Sequence, residues 1–173
     1  DLFNGNISRS VLSLTELENG KPVGYSYGYD QLNRLQQMRQ HPLTAGATTW
    51  GASSVQQAYQ EDITYDGNGN ILTYLRNGQG STAFPLAMDN LTYHYKLGTN
   101  QLDYIDDAIT NNNSISVDLK SQLAANYSYD SIGNMVSDAE EGVVSIEWTV
   151  YGKIQRIKKS NNHVLKYLYD AAG

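Results

Sequence analysis

The sequence predicts an all-β chain: an antiparallel meander of hairpins laid side by side as a curved, twisted sheet strip. Three observations predict it. Tyr127-Ser128-Tyr129-Asp130-Ser131-Ile132-Gly133-Asn134-Met135 places two tyrosines at period two, so both rings share one strand face, and follows them with turn chemistry. Asp130 can accept from the backbone two residues on, and Gly133 or Asn134 can take the positive φ of a bulged hairpin turn. The motif recurs along the chain. Of 173 residues, 14 are Tyr and only 2 are Phe. The bulky aromatic role therefore falls to a ring with a polar tip, which suits a sheet face packed at one end and wet at the other.

Taken in order, Phe3-Asn4-Gly5-Asn6-Ile7 is a partial copy of the motif at the start of the chain. Val11 to Leu17 alternates as a strand, Glu18-Asn19-Gly20-Lys21 reads as an Asn-Gly hairpin turn, and Val23 to Tyr29 returns. Asp30 to Arg34 turns the chain again, and Leu35 to Arg39 is a strand that His41-Pro42 should end. The stretch 41–58 is the first insertion, within which Ser53 to Gln60 can form a turn or two of helix. Residues 59–65, the turn 66–70 and residues 71–76 make the next hairpin, closed at Asn77-Gly78. The second insertion, 79–90, holds Gly80, Ser81 and Pro85. Strands from Leu91 to Tyr95 and from Leu102 to Ile105 follow, with a turn one residue longer that lacks the Asp. The third insertion spans 106–124. The remainder is compact: Asn126 to Val136, an acidic turn at Asp138 to Gly142, strands Val143 to Thr149 and Ile154 to Lys159, a turn at Ser160 to Asn162, and Val164 to Tyr169.

Between the aromatic residues that precede the Asp-type turns (29, 65, 95, 129, 148 and 169) the intervals are 36, 30, 34, 19 and 21 residues. The bare unit is thus about 20 residues, and each longer interval carries its excess at the other turn. In a meander alternate turns lie on opposite edges, so one edge should be uniform and the other decorated. The tyrosines at 25, 27 and 29, at 93 and 95, at 127 and 129, and at 167 and 169 are expected to form cross-strand aromatic ladders.

The Y-x-Y-D-x-x-G-N pattern is carried most fully by Tyr65, Asp66, Gly69 and Asn70 and by Tyr129, Asp130, Gly133 and Asn134. Tyr29 with Asp30, Tyr95, Trp148 with Gly152, and Tyr169 with Asp170 carry it in part. It resembles the YD repeat of the Rhs family of large bacterial surface and secreted proteins, and the resemblance spans nearly the whole chain, 1–173. It implies a β-strip that spirals into a hollow shell, neighbouring repeats of the same polypeptide as partners, and in some members an enclosed toxin domain encoded downstream. It also implies a secreted or cell-surface location. On that reading both ends of the chain fall within a repeat, and the edge strand at Val164 to Tyr169 is expected to self-associate by strand addition.

Other classes find little support. The net charge is −6 with Lys and Arg dispersed, whereas a nucleic-acid surface needs a clustered basic face. Without cysteine there is neither a disulfide framework nor a thiol nucleophile. No run approaches the roughly 18 apolar residues of a membrane helix. Asp66-Gly67-Asn68-Gly69-Asn70 begins like a calcium loop, but Ile71 stands where that loop needs Gly and Asn77 where it needs Glu. His41, His94 and His163 fall on different elements, and the acidic pairs Asp106/Asp107 and Glu140/Glu141 fall in expected loops. No G-x-S-x-G elbow or P-loop occurs, and no Ser or Thr pairs with a His and an acid in any recognised spacing. No catalytic residue, cofactor or metal is expected. Two readings remain: a structural wall segment, and a carbohydrate-binding module that uses exposed tyrosines and insertion loops.

Overall fold

The computed structural model describes residues 5–15, 20–43, 56–82, 84–109 and 119–170. Twelve strands and no helix occur among them: β1 (Arg9–Leu12), β2 (Val23–Tyr29), β3 (Leu35–Pro42), β4 (Gln56–Tyr65), β5 (Ile71–Asn77), β6 (Ala87–Tyr95), β7 (Leu102–Asp107), β8 (Tyr127–Tyr129), β9 (Met135–Asp138), β10 (Val143–Trp148), β11 (Ile154–Lys159) and β12 (Val164–Lys166). They form two antiparallel meanders: a seven-stranded sheet in the order β1 to β7, and a five-stranded sheet in the order β12-β11-β10-β9-β8. Neither closes into a barrel. By contact density the chain divides into two compact units, Asp1–Thr92 with Asp107–Lys120, and Tyr93–Asp106 with Ser121–Gly173.

Within the first unit the register assigns each side chain to a face, because residues directly opposite one another share one. Tyr25 pairs with Gln40, Tyr27 with Met38, Met38 with Glu61, Ile63 with Tyr74 and Tyr74 with Leu91. The tyrosines therefore lie on the same face as the buried Val23, Ile63 and Leu91. Ser26, Arg39, Asp62, Thr64, Thr73 and Thr92 lie on the other. In the second unit the buried Ile146 pairs with Ile157, and Glu147 pairs with Arg156 on the opposite face. In the described pairings of β2, β4 and β8 the expected aromatic ladders are not seen: Tyr29 faces Leu35, Tyr65 faces Ile71, Tyr127 faces Asp138 and Tyr129 faces Met135. Turn length sets this next to the turns, because the five-residue turns bring Leu35, Ile71 and Met135 opposite Tyr29, Tyr65 and Tyr129.

Several boundaries differ from expectation. β1 begins at Arg9 and ends at Leu12. Residues 16–19, with Glu18 and Asn19 of the Asn-Gly turn, lie outside the described residues. β3 runs through His41 to Pro42, which pair with Gly24 and Val23 of β2, while its last partner on β4 among the described residues is Gln40↔Gln56. Gln56–Gln60 are strand where a helical turn was allowed; residues 53–55 of that reading lie outside the described residues. β6 starts at Ala87, inside the expected second insertion, and β7 continues to Asp107, inside the third. β12 stops at Lys166, three residues short of expectation.

Asp107 is consequently no loop residue. It is 6% exposed, and its Oδ1 accepts from the backbone N–H groups of Asn90 and Ile109 at 2.9 Å each. Gln122 and Asn126 do comparable work in the second unit. Gln122 imitates a strand partner for Ile105, donating from its backbone at 2.8 Å and accepting at its side-chain oxygen at 2.9 Å. Asn126 accepts from the N–H of Glu140 at 2.7 Å and donates to Asp138 at 3.0 Å. Buried polar side chains thus substitute for the ladder where the longer connections leave backbone unpaired.

Candidate functional site

The candidate site is the repeat motif itself, and its first part is the turn. Asp30, Asp66 and Asp130 each close a three-residue loop by donating the backbone N–H to the carbonyl four residues on, Asp30 to Arg34 at 3.0 Å, Asp66 to Asn70 at 2.9 Å and Asp130 to Asn134 at 2.9 Å, while the Asp carbonyl accepts from the N–H three residues on. In each, one carboxylate oxygen accepts the N–H groups two and four residues on, at 2.8 to 3.0 Å. The other oxygen takes a side chain: Arg34 Nε at 2.6 Å, Asn70 Nδ2 at 2.8 Å, Asn134 Nδ2 at 2.9 Å. The residue three on is left-handed in all three, Asn33 at φ 64°, Gly69 at 93° and Gly133 at 95°. This is a type I turn with a bulge residue in the left-handed region.

These donors set the electrostatics. The Arg34 backbone N–H, aided by its guanidinium, holds the Asp30 carboxyl below the usual range against the cost of burial. The Asn70 side-chain amide does so for Asp66. At Asp130 burial works to raise the carboxyl, and the backbone and side-chain donors of Asn134 together with the Ile132 N–H outweigh it. The Asp66 oxygens that suggested a calcium loop are thus directed at the N–H donors of their own turn.

Elsewhere the turn survives without its Asp. Thr149 and Lys153 close the same loop, with Gly152 at φ 73° and Thr149 Oγ1 accepting from Lys153 N–H at 3.2 Å. After Tyr95, which ends β6, the longer Lys96 to Gln101 turn has Thr99 Oγ1 accept from Gln101 N–H at 3.1 Å. Lys159 to His163 shares the backbone geometry at the opposite edge, with Asn162 at φ 65°. Asp170 is exposed, and 171–173, which would complete its turn, lie outside the described residues.

The second part is the aromatic residue before each turn, and here the structure supplies what the sequence did not. Five of these rings, those of Tyr29, Tyr65, Tyr129, Trp148 and Tyr169, reach back to the backbone carbonyl of the first residue after the preceding turn. The Tyr29 hydroxyl donates to Ile7 at 2.9 Å, Tyr65 to Leu35 at 2.8 Å, Tyr129 to Leu102 at 2.9 Å, Trp148 Nε1 to Met135 at 2.9 Å and Tyr169 to Ile154 at 2.7 Å. This latch explains the excess of Tyr over Phe: the position needs a ring that ends in a donor. Trp meets the need with its indole N–H, so Trp148 is a functional equivalent and not a departure. Burial raises the Tyr65 and Tyr129 phenols above their ordinary pKa, which keeps the donor proton in place. The signal was legible in principle, since it lies in the replacement of Tyr by Trp and never by Phe.

Cations couple three of the turns to the next repeat. Arg34 sits 4.5 Å from the centroid of Tyr65 and donates to the Asp66 carbonyl at 3.1 Å, while holding its own Asp30. Lys96 lies over Tyr129 and Lys153 over Tyr169, each at 5.0 Å.

A third, variable part occupies the position before the aromatic residue. Its side chain meets one across the turn on the face away from the tyrosines. Gln37 covers Gly28; Thr64 bonds Thr73 at 2.6 Å; His94 stacks on Tyr104 at 4.2 Å; Ser128 bonds Ser137; Glu147 pairs with Arg156 at 2.9 Å. Chemistry changes from copy to copy while complementarity is kept. On that same face the fold makes one pairing that sequence spacing missed: Ser26 Oγ lies 2.8 Å from His41 Nε2, joined by a two-strand register that no linear motif encodes. His94 also meets Asp106 at 3.0 Å, and His163 lies in the Lys159 turn. The three histidines are held by separate partners.

No protein-family model matches the chain, and no curated protein matches it.

Proposed function

We propose that this chain is a structural segment, a piece of the sheet wall of a large bacterial surface or secreted protein of the YD-repeat kind. The observation that carries this is the aromatic latch. It recurs five times with donor distances of 2.7 to 2.9 Å, always to the carbonyl that follows the preceding turn. A device that couples each unit only to its neighbour can be repeated without limit, as an elongated wall requires and a compact enzyme does not. The turns support the same reading: their carboxylates are occupied in holding backbone, and the chemistry that varies lies in self-paired cross-strand positions. The enclosed toxin domain and the secreted or surface location follow from the YD-repeat reading and form part of the proposal.

Residue-level hydrogen exchange tests it. Because coupling runs between neighbours, Tyr129→Phe should raise exchange in the hairpins around Leu102 and Met135 and leave β2 and β3 unchanged. A uniform rise throughout the chain would show one cooperative globule and defeat the proposal.

A further inference from the structure

The two edges of the second unit differ in chemistry. Along one edge the turns 96–101, 130–134 and 149–153 follow one another, because Lys96 lies over the Tyr129 ring, Tyr129 reaches the Leu102 carbonyl and Trp148 reaches the Met135 carbonyl. The tips of these turns are apolar: Leu97, Ile132, Val150 and Tyr151 are 84 to 101% exposed. Exposed apolar side chains scattered singly are ordinary. These recur at turn tips on one edge, and the turn does not require them. In the Asp66 turn, closed by the same bonds, Asn68 fills the place of Ile132 and Tyr151. In the Lys159 turn at the opposite edge Ser160 and Asn161 fill the places of Val150 and Tyr151. The apolar tips therefore answer to something outside the turn.

Cations stand beside and behind the tips. Lys96 precedes Leu97, and Lys153 follows Tyr151 by two residues. Residues 148–169 hold five of the 12 Lys and Arg of the chain and none of its 18 Asp and Glu. Register gathers what the sequence spreads out: Arg156 stands directly opposite Lys166, and Lys158 follows on the same face. Like charges directly opposite one another destabilise a sheet. Glu147 bonds Arg156 at 2.9 Å, whereas Lys158 and Lys166 have no ion-pair partner among the described residues. At about 3.4 Å of rise per residue, Arg156 and Lys166 lie roughly 10 Å behind Lys153, about one Debye length at 0.1 M salt. The one carboxylate within the three turns, Asp130, is directed at the N–H donors of its own turn. The opposite edge carries Glu140 and Glu141.

We infer that this edge docks on an anionic lipid bilayer, with the apolar tips in the headgroup region and Lys96, Lys153, Arg156 and Lys166 facing the lipid phosphates. Apolar side chains flanked by cations are what an interfacial site requires, and Tyr favours that depth. Long Lys and Arg stems lie along apolar surroundings while their charged ends reach the phosphates. Tips exposed this fully do not pack into the complementary patch that a protein partner needs, whereas a fluid interface accepts each tip by itself. The inference goes beyond the wall reading and does not depend on it.

The test is flotation of the 173-residue chain with vesicles of phosphatidylcholine alone and of phosphatidylcholine with roughly 30% phosphatidylglycerol. The chain should float with the anionic vesicles, be released from them by added salt, and stay behind with the neutral ones. Lys166→Gln should weaken binding about fivefold. Leu97→Asn combined with Tyr151→Asn should weaken it about tenfold or more while leaving the melting temperature unchanged, because both side chains are almost fully exposed. Leu123→Asn, equally exposed but beside Ile105 in mid-strand, should leave binding as it was. No flotation, equal flotation with neutral vesicles, or undiminished binding by the double variant would each overturn the inference. So would equal affinity for a single-stranded oligonucleotide, which would mark a general polyanion surface. A dimer in sedimentation that the double variant dissolves, without vesicle binding by the parent, would assign the edge to a second copy of the chain and overturn it as well.

Discussion

The turns that open on Asp30, Asp66 and Asp130 repeat the same set of bonds, whereas the described part of the 78–86 connection at the other edge does not share it. At the aspartate turns four of the five backbone donors have a partner inside the turn, so the geometry is self-contained and repeats. The 78–86 connection instead spans a wider gap with isolated bonds, Gly78 N–H to the Leu86 carbonyl at 2.7 Å and Ser81 N–H to the Phe84 carbonyl at 2.7 Å. Length can change there without breaking a network. The repeat is conserved in geometry where the bonds are local and dense, and free where they are sparse.

The sharpest way to break this comparison is to insert a Gly-Ser pair at each edge. After Ser131 it separates Asp130 from its donors and should cause the largest fall in melting temperature of any change described here. After Gln79 the same pair should cost less than about 0.6 kcal/mol, the scale of loop-closure entropy. Equal losses at the two edges, measured by denaturant unfolding, would abolish the distinction.

Next in size is Gly133→Val. The site has φ 95° and nothing within 4 Å of a new Cβ, so the expected loss of about 1–3 kcal/mol is backbone strain alone. Gly133→Asn should cost under about 0.5 kcal/mol, because Asn33 already occupies the equivalent place. Smaller again is Tyr129→Phe. Losing the bond to the Leu102 carbonyl should cost about 0.5–1.5 kcal/mol in thermal or chemical unfolding. Tyr151→Phe, at a ring 87% exposed, should leave stability unchanged.

The last is a pH effect. The Asp30, Asp66 and Asp130 carboxyls lie below their ordinary range, so the folded state holds their protons less tightly than the unfolded state does. Their contribution is complete above the ordinary carboxylate pKa of about 4 and is lost as pH falls through the lowered values. Melting temperature should decline on acidification below about pH 4, less steeply when all three are changed to Asn. An identical slope in that variant would remove the turns as the cause.

Much of the architecture was legible in the residues. Turn residues announce themselves locally: Asp130 and Gly133 act on atoms within four positions, so the sequence alone determined where the chain reverses and that it is all β. Strand extents were less legible, because His41-Pro42 and Asp106-Asp107 are strand only by virtue of neighbours absent from their own stretch. Only tertiary structure decided what the tyrosines do. Period two placed Tyr129 on a face, but its partner is a carbonyl 27 residues away, chosen by the lengths of the intervening connections. The same holds for Ser26 with His41, where strand register creates the contact. Short-range hydrogen bonding and steric preference are written into adjacent residues; register, and what it brings together across strands, emerges only when the whole sheet is assembled.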